Sequence, residues 1–264
     1  MGALQGRSVR LQTDRRGPAK AGHYVTTVFA LVMLAATAPD AVADVRWHAS
    51  VDEAARVAQP GNRPIMIDFV ADWCAACKVM EKDVYETSDF ERAAEPFVLV
   101  RVDADHRTDL SLKYKIATLP SVLFTDSQGN ELFRATGFID LKPMMELLAT
   151  LPHDVSEFNR LGAALSRDKN NLAALREMGG RLQAASLYRT SIDYYARALQ
   201  LNDAKRDAAA REEILHALGA NYLEVKEGKR AVDTFNRLLR EFKSSARRAE
   251  WTQKLAQARA ITNR

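Results

Sequence analysis

The chain has 264 residues, of which 38 are basic and 34 acidic, for a formal net charge of +4. Five of the basic and two of the acidic residues fall within the first 43, so the other 221 carry 33 against 32, a net of +1. That near-neutral balance makes no electrostatic case for nucleic acid, and the sequence has no phosphate-binding loop, no Ser/His/Asp order and no nucleic-acid motif.

Residues 1–43 read as an export signal. Arg7, Arg10, Arg15, Arg16 and Lys20 form a basic leader, Tyr24 to Ala38 a short apolar run, and Ala41-Val42-Ala43 a small-residue cleavage site before Asp44. The expected location of the remainder is periplasmic. An uncleaved N-terminal anchor is the alternative, although the run is short and weakly apolar for a membrane span. Arg15-Arg16 also allows twin-arginine export, but Gly17-Pro18 lacks the apolar residue that such signals carry.

Beyond the leader the charge divides. Asp44 to Pro152 carries 12 basic and 18 acidic residues, a net of −6, and His153 to Arg264 carries 21 and 14, a net of +7. The expected organisation is one domain over 44–152 and a second over 153–264. In the first, Val51 to Ala58 reads as a helix and Gln59 to Pro64 as a turn. Ile65 to Val70 is an apolar run broken only by Asp68, the pattern of a central strand covered on both faces. A helix starts at Cys74 and runs past Asp83, with Val79, Met80 and Val84 on its buried side. Phe97 to Val102 is a second buried strand and Leu110 to Ile116 a helix. Val122 to Thr125 and Leu132 to Ala135 flank the turn Asp126 to Asn130, and Leu141 to Leu148 closes the domain as a helix.

The only two cysteines, Cys74 and Cys77, stand directly after the first of these strands. With two residues between them on a first helical turn, both sulfurs lie on one side and can close a small ring, while the leading thiol stays accessible. Free N–H groups at the helix start stabilise its thiolate, which makes Cys74 the expected nucleophile and Cys77 the resolving thiol. Half a zinc site and a structural disulfide are the alternatives. Zinc normally takes four ligands, and there is no second Cys pair beside the five scattered histidines. The strand-then-helix setting favours dithiol chemistry, which needs no metal or nucleotide cofactor because the Cys74-Cys77 pair is itself the redox group.

The segment DFVADWCAACK, residues 68–78, resembles the active-site segment of the thioredoxin superfamily. The longer PIMIDFVADWCAACKVMEKDVY is similar to the C-terminal periplasmic domain of the DsbD membrane thiol reductases. KYKIATLPSVLFTDSQGNELFRATGF, residues 113–138, resembles the second half of the same fold. The resemblance covers Asp44 to Leu151 and implies an α/β thioredoxin fold, a central mixed sheet flanked by helices. It implies that Leu119-Pro120 is a cis peptide facing the disulfide, with main-chain groups free to pair with an extended polypeptide. Trp73, before the nucleophile, is placed to shield the thiol and to form part of a docking surface, with simple packing as the alternative. Tyr114 and Gly137 read as fold positions. Ala75-Ala76 departs from the Gly-Pro of thioredoxin itself, and Leu99 stands where thioredoxin carries a lysine near its buried aspartate.

Asp68 lies six residues before Cys74. The resemblance implies an acid buried under the disulfide that moves protons to and from the resolving thiol, and burial suits it to acid/base work near neutral pH. A purely structural aspartate is the alternative. Glu81, one turn beyond Cys77, matches a second acid of the DsbD domain, with a solvated helix-face charge as its alternative. A carboxylate about 5 Å from a thiolate opposes it by roughly 3 kcal/mol at an effective dielectric near 20. The helix terminus contributes only roughly 0.3 to 2 kcal/mol. Ionised acids at that range leave the thiolate weakly stabilised and make the dithiol the better reductant.

The second half reads as helices. Leu175, Met178, Gly179, Leu182, Ser191, Tyr195 and Ala198 have the relative offsets of Leu215, Leu218, Gly219, Tyr222, Ala231, Phe235 and Leu238. The first window, with YYARALQLN, resembles a tetratricopeptide repeat, and the second fits as well. Small residues at Gly179 and Gly219 let paired helices approach closely. The two glycines lie 40 residues apart, more than one such repeat, so an insertion around Asp203 to Arg211 separates the units. Helices over Asp154 to Leu165 and Ser245 to Ile261 flank them.

These features describe an exported thiol/disulfide oxidoreductase, in the leading reading a reductase of protein disulfides recharged by a membrane thiol reductase. The helical, tetratricopeptide-like domain is expected to bind a peptide or protein, preferably an acidic one. A disulfide oxidase or isomerase and a non-enzymatic adaptor are the alternatives.

Overall fold

The structure, a computed structural model, describes residues 46–263. The export signal and its cleavage site lie outside the described residues. Five strands, β1 (Trp47–His48), β2 (Ile65–Val70), β3 (Val98–Asp103), β4 (Ser121–Thr125) and β5 (Glu131–Thr136), form one sheet in the order β1-β3-β2-β4-β5. The first three run parallel, and β4 and β5 add antiparallel pairs. β2 is the middle strand, and its unbroken apolar run answers to burial on both faces. Ile65, Ile67 and Phe69 pack with α1 (Val51–Ala58) on one side, and Met66 joins Met80, Phe90 and Phe124 on the other. This is the mixed sheet with flanking helices of a thioredoxin fold.

Two elements of this domain are absent from the sequence reading. β1 has only two residues, too few to show an alternation. α3 (Ser88–Ala94) is started by Thr87, whose hydroxyl accepts the Phe90 N–H at 3.3 Å. The helix after the cysteines is also shorter than its apolar pattern suggests. α2 (Ala75–Met80) gives way to a wider turn over Glu81–Tyr85, closed by the Glu86 N–H on the Glu81 carbonyl at 3.0 Å. Met80 and Val84 are buried as expected, but Val79 is exposed. It follows Cys77 by two residues, about 200° around the helix, and so points away from the face that Cys77 buries.

Past α4 (Thr108–Lys113) and α5 (Leu141–Thr150), the chain continues as α6 (Ser156–Arg167), α7 (Leu172–Ala184), α8 (Tyr188–Gln200), α9 (Asn202–Arg206), α10 (Ala208–Glu224), α11 (Gly228–Glu241) and α12 (Arg248–Thr262). The small-to-large pairing read from the sequence recurs in two hairpins. A Cβ on Gly179 of α7 would stand 2.8 Å from the Tyr195 ring of α8, and one on Gly219 of α10 would stand 2.7 Å from the Phe235 ring of α11. The short α9 takes up the extra residues between them.

The helices dock where β2 begins and β4 ends, a pairing set by Ile65 opposite Thr125. Asn159 of α6 accepts the Ser127 N–H at 3.0 Å and donates to the Asn62 side chain at 3.0 Å. Gly162 lies against the Asn130 side chain, and Thr190 of α8 donates to the Leu132 carbonyl at 2.6 Å. Met66, Phe124 and Leu132 share one apolar cluster with Leu161, Leu175 and Tyr195, and the described residues fall in one compact unit. Cys74 follows the opposite end of β2. Among the described residues no helix is long and apolar enough to cross a membrane.

Candidate active site

Cys74 caps α2 and is disulfide-bonded to Cys77, with S–S 2.05 Å and Cα–Cα 5.3 Å. The Cys77 N–H points back at the Cys74 sulfur at 3.2 Å, the helix-start donor that a thiolate at this position would use. The leading sulfur is less open than its place at the helix start suggests. Cys74 is 4 % exposed and Cys77 5 %, because Val70, Ala71, Ala76 and Leu119 pack around the pair.

Behind the pair stands Asp68, fully buried on β2. Strand register sets it opposite Arg101 of β3 on one side and Val122 of β4 on the other. Arg101 Nε lies 3.6 Å from Asp68 Oδ2, and Arg101 Nη1 lies 2.6 Å from Glu81 Oε1. Neither Asp68 oxygen has a hydrogen bond among the described residues. Burial pushes the Asp68 carboxyl up to about 7, against the opposing pull of the Arg101 charge. The Tyr85 hydroxyl, buried beside them, is driven well above its ordinary range by burial and then by the Asp68 charge.

A cavity of about 180 Å³ brings Cys77, Asp68, Glu81, Arg101, Asp72 and Lys78 to one surface. It has the volume and polarity to hold water between Cys77 and the buried acid. Glu81 lines the cavity in an ion pair with Arg101, with 46 % of its side chain exposed.

Trp73 is 69 % exposed, with its indole N–H donating to Asp105 at 2.9 Å across the loop after β3. The Leu119-Pro120 bond is cis, and Leu119 packs beside the cysteines. Tyr114 donates to the Gly129 carbonyl at 2.9 Å, and Gly137 takes φ +86°, a conformation that glycine tolerates. Sequence reasoning missed Arg101 and Tyr85. For Arg101 the sequence shows a charge inside each of two apolar strands, Asp68 in Ile65–Val70 and Arg101 in Val98–Asp103, but only the parallel register brings the opposite signs together. Leu99, where the resemblance calls for a lysine, is buried in the core, and the cation enters two residues later on the same face of β3. For Tyr85 no local signal existed, since only the widened turn brings it there.

The sheet order and a helix-capping Cys-x-x-Cys pair define a thioredoxin-like domain, and a thioredoxin-like family model matches residues 46–127. The chain is 38 % identical over 103 residues to the thiol:disulfide interchange protein DsbD of Yersinia pestis, covering 36 % of this chain and 17 % of that protein. With DsbD of Cronobacter sakazakii it shares 39 % over 99 residues, 35 % of this chain and 17 % of that one. The chain therefore spans only about a sixth of the length of these relatives. Among solved structures, a DsbH oxidoreductase aligns with 45 % of this chain and 94 % of its own, at 24 % identity and a TM-score of 0.38.

Proposed function

We propose that this protein is an exported thiol:disulfide oxidoreductase that works as a reductase of protein disulfides. The observation that carries the reading is the Cys74-Cys77 pair at the start of α2, with Cys77 and the buried Asp68 on one cavity. The reduced Cys74 thiolate attacks one sulfur of a substrate disulfide, forming a mixed disulfide and expelling the other sulfur as a thiolate that takes a proton from water. Cys77 gives its thiol proton to the Asp68 carboxylate and attacks the Cys74 sulfur. The Cys74-Cys77 bond forms, the second substrate thiolate leaves, and two electrons have passed to the substrate.

Three carboxyls, Asp68, Asp72 and Glu81, share the cavity with two cations, Lys78 and Arg101. Carboxylates this near the cysteines disfavour a thiolate and so favour the disulfide form of the enzyme, which supports the reducing direction. The exposed Trp73 and the Leu119-Pro120 segment are the proposed docking edge for an extended polypeptide. Renewed turnover needs a dithiol donor, and the likeness to one part of DsbD supports a membrane thiol reductase in that role. Residues 1–43 are the proposed export signal. The helices over 153–264 are proposed to be a tetratricopeptide-like domain that binds a peptide or protein segment, with the two glycine-to-aromatic hairpins as its support.

The test is the reduction potential of the pair in the chain starting at Asp44, equilibrated against glutathione and then dithiothreitol. A value near or below about −230 mV is expected, and one near −120 mV would overturn the reductase assignment in favour of an oxidase.

A further inference from the structure

Among the described residues, Arg101 is the only cation in ion-pair range of either acid of the site. Its guanidinium is divided between Asp68 at 3.6 Å and Glu81 at 2.6 Å. Its position is held from the other side by aromatic faces, the Trp47 ring centroid at 4.5 Å and the Tyr85 centroid at 5.8 Å. Three elements contribute the neighbours of Asp68. β3 supplies Arg101, β4 the uncharged Val122, and the widened turn both Glu81 and Tyr85, while Cys77, Lys78 and Asp72 also line the cavity. Arg101 is the only cation that offsets the loss of water at the Asp68 carboxylate, and the Tyr85 hydroxyl is the neutral polar group beside it.

We propose that Arg101 is the positioning residue that keeps Asp68 able to accept the Cys77 proton at neutral pH, by dividing its guanidinium between Asp68 and Glu81. The inference rests on the proposed reductase chemistry and adds to it a residue that sets the strength of the base. Removing the cation leaves Asp68 protonated and unable to take a proton. Removing the Glu81 charge frees the guanidinium for Asp68, which then ionises more readily and holds a proton less well. The two changes push the same group in opposite directions, which damage to packing alone would not do.

The experiment is a pH titration of the Asp68 carboxyl by ¹³C NMR in the oxidised full chain labelled at aspartate, with Asp68→Asn identifying the signal. Arg101→Gln is expected to raise the midpoint by about one pH unit or more, Arg101→Lys to leave it nearer the parent value, and Glu81→Gln to lower it. In single-turnover resolution of a mixed disulfide by Cys77, the pH–rate profile is expected to move the same way. An unmoved or lowered midpoint in Arg101→Gln overturns the proposal. Should that variant not fold, an unmoved or raised midpoint in Glu81→Gln does so. A parent dithiol that reduces no protein disulfide would instead overturn the reading of function, and the carboxyl titration would still decide on Arg101.

Discussion

In the proposed mechanism Asp68 links reactivity to stability through a single proton. Its folded carboxyl titrates at about 7 because burial disfavours the charge, whereas an unfolded aspartate titrates at about 3.9. Between those values the folded chain holds a proton that the unfolded chain has released, so stability falls as pH rises through that window, by at most about 1.4 kcal/mol per pH unit. Asp68→Asn cannot ionise and is expected to remove this slope, leaving the protein more stable than its parent at pH 8 while slowing resolution by Cys77. Urea denaturation of both forms at pH 5 and pH 8 checks the first half, and an unchanged slope would show that another group carries it. The cysteines separate by role at the same scale. Cys74→Ser is expected to abolish disulfide reduction, and Cys77→Ser to accumulate a mixed disulfide with substrate, read by non-reducing electrophoresis and mass spectrometry. A Cys77→Ser form that turns over normally would reverse the assigned order of attack. The identity and burial of Asp68 were legible from its place inside an apolar strand, but its neighbours were not, because Arg101 and Tyr85 arrive from 33 and 17 residues away in the chain.

Among the elements, those with strong patterns were legible nearly to the residue. Val51–Ala58 and Ile65–Val70 form as read, because an amphipathic period and a two-face apolar run each admit one solution. The wide turn over Glu81–Tyr85 was not legible, since its spacing departs from the helical period and its formation depends on what Val84 and Tyr85 find beneath them. The helical hairpins allow a direct test of how closely their backbones approach. Gly219→Ala gains about 0.8 to 1.0 kcal/mol of helix propensity, but the new methyl meets the Phe235 ring, and overpacking of this kind costs about 1 to 3 kcal/mol. Overpacking wins, so a net loss of up to about 2 kcal/mol is expected in urea denaturation. Adding Phe235→Leu should recover part of it. A more stable Gly219→Ala chain would mean that α10 and α11 can separate freely.

For the whole molecule, the helices are fused to the sheet through a common apolar cluster, so the proposed boundary near Pro152 is one of sequence and charge more than of independent cores. Cutting there uncovers Leu132 and its neighbours and removes the Asn159 and Thr190 hydrogen bonds. Exposing one large buried side chain costs about 1.5 to 3 kcal/mol. The fragment 44–152 is therefore expected to unfold at clearly lower urea than the chain 44–264, and equal midpoints would show that the shared cluster adds nothing. Because docking occurs at the start of β2 and the cysteines follow its end, the helical part leaves the disulfide pole uncovered.

The sequence by itself determined the central strand, the helix-capping cysteine pair, the buried acid and the small-to-large rhythm of the helical half. Each of these is a short-range pattern, in which a few adjacent residues carry the period, the spacing or the turn chemistry. Only the tertiary structure decided that Arg101 faces Asp68, that a cavity joins that acid to Cys77, and that the helices attach at the far end of the sheet. Those facts depend on strand register and on the docking of distant surfaces, which are set by the summed burial of the whole core and are written in no single stretch of the chain.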